Sequence, residues 1–123
     1  MSPVHVQLAS RTGIAVAAVS GEVDLDERDR FEQALGPIRH GSGPAVLDLE
    51  AVPFMDSTGL HVVVALCRSL QREGRPLVLA GPRQAVRKLF ELTSLDRMMA
   101  IYDDVEAAVE AVRRSEPLSA DAS

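Results

Sequence analysis

The chain has 123 residues, enough for one domain with a core of useful size. Apolar residues make up 46% and charged residues 25%, while aromatics are only 3% and Trp is absent, so the core must be aliphatic. A net charge of −5 argues against non-specific binding of nucleic acid or anionic lipid and suits a partner with a basic face, and the single cysteine, Cys67, excludes an internal disulfide and a multi-cysteine metal site.

The N-terminus, MSPVHVQLAS, has neither the basic flank nor the long apolar core of a signal peptide. The apolar stretches are too short for a bilayer, which needs about 20 residues. With one cysteine, these features predict a cytoplasmic protein with no membrane or direct nucleic-acid contact.

Val4, Val6 and Leu8 alternate with His5 and Gln7, the period of a strand with one buried face. Arg11-Thr12-Gly13 reads as a turn, and Ile14 to Val19 as a second strand hairpinned to the first. Gly21 closes it. The period then changes: Phe31, Ala34, Leu35 and Ile38 fall on one helical face, with Asp26 as the predicted N-cap and Gly36-Pro37 as a stop or bend.

Ala45 to Leu49 predicts a buried central strand. After MDSTG, a helical stripe of Leu60, Val63, Val64, Cys67 and Leu70 appears, with Arg68 and Arg72 facing away and Gly74 as the stop. Leu77 to Ala80 is another short strand, closed by Gly81-Pro82. Val86, Leu89 and Phe90 mark a third helix, and Met98 to Tyr102 an edge strand. Asp103 or Asp104 caps a last helix with Val105, Ala108, Val109 and Val112 on its inner face.

Strands that alternate with helices need crossovers and a mainly parallel sheet, made mixed by the first hairpin. The expected fold is a single-domain α/β structure of about five strands and about four α-helices, spanning 1–114. A polar tail, 115–123, is expected to be disordered. Sites in such folds lie at the carboxyl ends of strands, where MDSTGL (55–60) sits.

The DSTG cluster has three readings. Asp56 can cap the next helix, with Ser57 filling the turn. Ser57 can be a hydrolase nucleophile with His61 one helical turn away as base, although residues 55–59 lack the first glycine of G-x-S-x-G and no residue orients the imidazole. Or Ser57 is a phosphoacceptor, whose phosphate would meet free N–H groups and the positive dipole of a helix start. Phosphate adds about −1.5 to −2 charges at pH 7, enough to block docking without unfolding the domain.

Three stretches resemble the STAS domain of bacterial anti-sigma factor antagonists: GEVDL (21–25), VLDLEAVPFMDSTGL (46–60) and LVLAGPRQAVRKLFELTSLDRMMAIYDDVEAAV (77–109). The similarity runs through residues 4 to 112. It implies a STAS-like fold and a regulatory protein that is not an enzyme. The unphosphorylated form would bind an anti-sigma factor that is also a serine kinase of the histidine-kinase-like ATPase type, freeing a sigma factor. Phosphorylation of Ser57 would end that binding, and a PP2C-type phosphatase would restore it. By the same match, Asp24 and Asp56 flank the partner surface, Met55, Gly59 and Leu60 shape the loop, and Thr58 is the lesser acceptor. His61 stands where relatives often carry a small residue, which bears on kinase choice. No cofactor or metal is implied; Asp103-Asp104 reads as a cap, and Cys67 as core. Two other functions remain open: a STAS scaffold or sensor that binds a small molecule or nucleotide without phosphorylation, and a small serine hydrolase.

Overall fold

The computed structural model describes residues 2–115. Five strands form one sheet: β1 (His5–Arg11), β2 (Ile14–Ser20), β3 (Ala45–Ala51), β4 (Leu77–Ala80) and β5 (Ile101–Tyr102). They lie side by side in chain order. β1 runs antiparallel to β2, and every later pairing is parallel. This is the expected mixed, mainly parallel sheet.

Five helices surround it: α1 (Arg28–Ala34), α2 (Gly36–Arg39), α3 (Ser57–Gln71), α4 (Gln84–Leu92) and α5 (Val105–Ser115). On one sheet face Ala17, Val19, Leu47, Leu49 and Leu79 pack with Phe31, Leu35, Leu66, Leu70 and Phe90 from α1, α3 and α4 and the turn after α1. On the other, Ile14, Val16, Val46, Val78 and Ala80 meet Ala108, Val109 and Val112 of α5. Helices on both faces are why β3 and β4 read as apolar runs and not as alternating strands. Among the described residues no helix is long and apolar enough to cross a membrane.

The boundaries differ from expectation in four places, each for a local reason. Val4 is buried and Val6 half-buried, but Leu8 is 44% exposed, because β1 is an edge strand covered only near Val4. Asp26 caps nothing; it sits in a 3-10 turn, Leu25–Glu27, and α1 starts at Arg28 without a side-chain cap. The Glu27 carboxylate accepts the Val4 N–H at 2.9 Å, so tertiary anchoring of the N-terminus takes the acid that a cap would have used. Gly36-Pro37 bends the first helix and starts α2, the additional helix, with Leu35 and Ile38 still buried.

Last, the edge strand shrinks to two residues. Ser94 turns left-handed (φ 61), and the N–H groups of Met98 and Met99 both donate to Leu95 O, so the chain is still coiled where extension was expected. At α5, Asp104 supplies the expected cap by accepting Ala107 N–H at 2.8 Å. The tail expected from residue 115 lies outside the described residues except for Ser115, which ends α5.

In α3 the buried set is wider than the predicted stripe. It includes Gly59, Val62 and Leu66 as well as Leu60, Val63, Cys67 and Leu70, while Val64 is at the margin. α3 packs on the sheet and also against α1 and α2, so more than one stripe is covered. Burial pushes the Cys67 thiol up from its ordinary pKa, which keeps it protonated and suited to packing.

Arg75, only 7% exposed, has no counterpart in the sequence reading. Its Nε donates to Gly43 O at 2.9 Å, Nη2 to Ile38 O at 2.8 Å, and Nη1 to Arg39 O and Glu73 Oε1, both at 3.1 Å. One guanidinium thus ties the end of α2 to the loop before β3. Arg75→Met keeps the length and removes all the donors. It is expected to cost about 2–3 kcal/mol, read as a lower urea midpoint, because buried carbonyls lose their partners. An unchanged midpoint would mean that the clamp is ornamental.

Candidate functional site

Beyond β3 the chain turns at Val52, whose N–H donates to Leu49 O, and then exposes Pro53 and Phe54. It next meets the segment after β2. Val23 N–H donates to Phe54 O at 3.0 Å and Asp56 N–H to Val23 O at 3.1 Å, a parallel bridge pairing Val23 with Met55. The two motifs GEVDL and MDSTG are therefore sewn side by side. Val23 and Met55 are buried under the seam.

Gly59 makes this approach possible. A Cβ there would lie 2.6 Å from Val23 Cγ1, 2.8 Å from Met55 Cγ and 3.1 Å from Val23 O. No side chain fits. Gly21 solves a similar problem at the other end of GEVDL, where φ is +91 and a Cβ would collide with the Pro3 carbonyl.

Asp56 is the N-cap of α3, in extended backbone, and its Oδ1 accepts from Thr58 N–H at 2.8 Å and Gly59 N–H at 3.3 Å. The expectation that Asp56 caps the helix is thus correct. The expectation of free amides for a phosphate is not, since these two amides are already occupied. Ser57 occupies the first helical position and is exposed. His61, one turn on, is exposed too. The hydrogen bonds at the helix start end on Asp56 and on neither of these side chains.

The predicted residues thus divide by depth. Ser57 and His61 are exposed; Asp24, Asp56 and Thr58 are half-buried; Met55, Gly59 and Leu60 are buried and shape the loop from beneath. Two large apolar residues not singled out in the sequence are exposed on the two sewn segments: Leu25 at 67% and Phe54 at 48%. The available signal was a large apolar residue in each motif that belongs to no helical or strand periodicity.

Beside the seam lies a hollow of about 260 Å³ lined by Ser2, Pro3, Glu22, Asp24, Asp26 and Glu27. One Asp24 carboxylate oxygen is covered and has no hydrogen-bond partner among the described residues. Four carboxylate side chains, Glu22, Asp24, Asp26 and Glu27, thus line this hollow.

Residues 5–108 match the family model of the STAS domain. The chain belongs to the STAS-domain family. The anti-sigma-B factor antagonist of Staphylococcus aureus (strain NCTC 8325 / PS 47) is 33% identical over 104 residues, covering 84% of this chain and 96% of that protein. The crystal structure of an anti-sigma factor antagonist from Mycobacterium paratuberculosis matches with a TM-score of 0.83 at 31% identity, over 89% of this chain and 94% of that one. The anti-sigma factor antagonist SpoIIAA in its unphosphorylated form matches at TM-score 0.75 and 24% identity, over 91% and 99% of the two chains. The phosphorylated form of SpoIIAA, a Bacillus cell fate determinant, matches at 0.68 and 23%, over 88% and 99%. At those last identities the likeness is one of STAS fold. The parallel core with one antiparallel edge strand and the helix that begins at Ser57 are thus this chain's version of a STAS domain.

Proposed function

We propose that this STAS domain is an anti-sigma factor antagonist whose docking on an anti-sigma serine kinase is switched off by phosphorylation of Ser57. The observation that carries this reading is exposed Ser57 at the start of α3, directly after the seam between the GEVDL and MDSTG segments, which also expose Leu25 and Phe54. The names of the relatives support it: 33% identity joins the chain to one anti-sigma factor antagonist and 31% to another.

The switch needs little movement. The kinase brings ATP to Ser57; Oγ bonds to the γ-phosphorus, the bond to the ADP oxygen breaks, and the hydroxyl proton passes to a base on the kinase. Asp24 and Asp56 already flank the site. About −1.5 to −2 further charges there would repel acidic groups of the partner and leave a strongly hydrated anion to be desolvated on docking. A PP2C-type phosphatase would restore the hydroxyl by hydrolysis. Leu25 and Phe54 supply the apolar contact and His61 borders it.

Mixing the protein with a preformed complex of cognate kinase and sigma factor tests the antagonism. The unphosphorylated protein should displace the sigma factor at near-equimolar ratio on gel filtration. A sigma factor that stays bound at excess would defeat the proposal. Replacing both Leu25 and Phe54 by Ser should weaken kinase binding by more than about tenfold, a usual effect for central apolar anchors. The melting temperature should not fall, since both are exposed. Undiminished affinity in the double variant would move the contact elsewhere.

A further inference from the structure

The amides at the start of α3 are almost all engaged. Asp56 N–H donates to Val23 O at 3.1 Å, Thr58 N–H and Gly59 N–H donate to Asp56 Oδ1, and Leu60 N–H opens the helical ladder on Asp56 O at 3.1 Å. Among the described residues only the N–H of Ser57 itself lacks an acceptor in this turn. A helix start is ordinarily a ready anion site because such groups are free. Here that site is filled in advance by a carboxylate of the same chain.

We infer that Asp56 keeps a phosphate on Ser57 off the α3 terminus, so that the phosphoryl group stands outward with its charge unneutralised. The inference rests on Ser57 being the phosphoacceptor. To reach the Thr58 and Gly59 amides, the phosphate must displace Asp56 Oδ1 or share them with it. Sharing places a dianion beside a carboxylate. Displacement must dislodge a side chain whose backbone is held on both sides, by its own N–H on Val23 O and by Leu60 N–H on its carbonyl. The phosphate has no such anchoring; it hangs on one rotatable side chain and is left one amide, its own. Asp56 thus has a second task besides capping. It presents the phosphate, at full charge, to the partner that must be repelled and to the enzyme that must remove it.

The test places phosphoserine at position 57 during translation, which needs no kinase, and labels the protein with ¹⁵N. In the otherwise wild-type phosphoprotein, the Thr58 and Gly59 amides should show no through-hydrogen-bond coupling to phosphorus. The phosphorylated Asp56→Gly variant opens the turn at small cost, since glycine is a tolerated N-cap. There, both amides should shift downfield and couple to phosphorus, and a PP2C-type phosphatase should remove the phosphate severalfold more slowly. Asp56→Asn, which retains a capping oxygen, should keep the uncoupled wild-type pattern. Phosphorus coupling to Thr58 or Gly59 in the otherwise wild-type phosphoprotein would overturn the inference. Its absence in Asp56→Gly would do the same, because Asp56 would then not be what holds the phosphate away. Either result leaves the kinase reading intact, and a kinase that ignores Ser57 would leave this measurement unchanged.

Discussion

Ser57→Asp is expected to weaken binding to the cognate anti-sigma kinase by about tenfold or more, while Ser57→Ala binds as tightly as wild type. The added carboxylate stands directly after the cap Asp56, at the exposed first position of α3, where a docked kinase would meet it. A unit charge held about 4 Å from an anionic group of the docked kinase costs about 1–4 kcal/mol at dielectrics between water and a protein surface, and about 1.4 kcal/mol is a factor of ten in affinity. The loss would not come from unfolding. An acid in the first turn of a helix is favourable to the helix dipole, so the melting temperature should hold or rise slightly. Titration calorimetry separates the cases: full affinity for Ser57→Asp would refute the electrostatic switch, and lost affinity in Ser57→Ala would mean that the hydroxyl is a contact in its own right.

Gly59→Ala carries the second large effect, and its sign is the informative part. In the first turn of an ordinary helix this change stabilises, because alanine exceeds glycine in helix propensity by about 1 kcal/mol. At Gly59 the new methyl would press on Val23 Cγ1, Met55 Cγ and Val23 O, two of them at under 3 Å. Overpacking of this kind costs about 1–3 kcal/mol. The first turn of α3 must back away from the GEVDL segment, and the Val23–Met55 bridge is the pairing that opens. Urea unfolding should show no gain and a net loss of up to about 2 kcal/mol, and the amides of Val23 and Asp56 should exchange faster than in wild type. A stabilised Gly59→Ala protein would show that the two motifs are not pressed together at this point.

Legibility in the sequence followed a physical divide. Where burial imposes a period, the elements could be read: β3 and β4 as apolar runs, α4 and α5 from one inward stripe, and the β1–β2 turn from Thr12-Gly13. Where a residue is buried for tertiary reasons without a period, they could not. Met98, Met99 and Ala100 resemble a strand, yet Met99 is buried as the end of a coil that Ser94 starts. Arg75 gives no sign in sequence of the three carbonyls it collects. Asp26 had the right type for a cap, but Glu27 had been drawn to the Val4 N–H, and the helix began later.

The site shows the same divide. Asp56 as cap and Ser57 as the presented hydroxyl were readable, because cap chemistry is local. That the cap consumes the amides a phosphate would need follows only from the atoms. The pairing of Val23 with Met55 is long-range in sequence, so nothing in either motif alone says that the segments carrying Leu25 and Phe54 lie side by side.

The most direct measurement is intact-protein and peptide mass spectrometry after incubation with the cognate anti-sigma kinase and ATP. The account predicts a single phosphate, located on Ser57 and absent from Ser57→Ala. No incorporation with an active kinase, or a phosphate on Thr58 or elsewhere with Ser57 untouched, would contradict it.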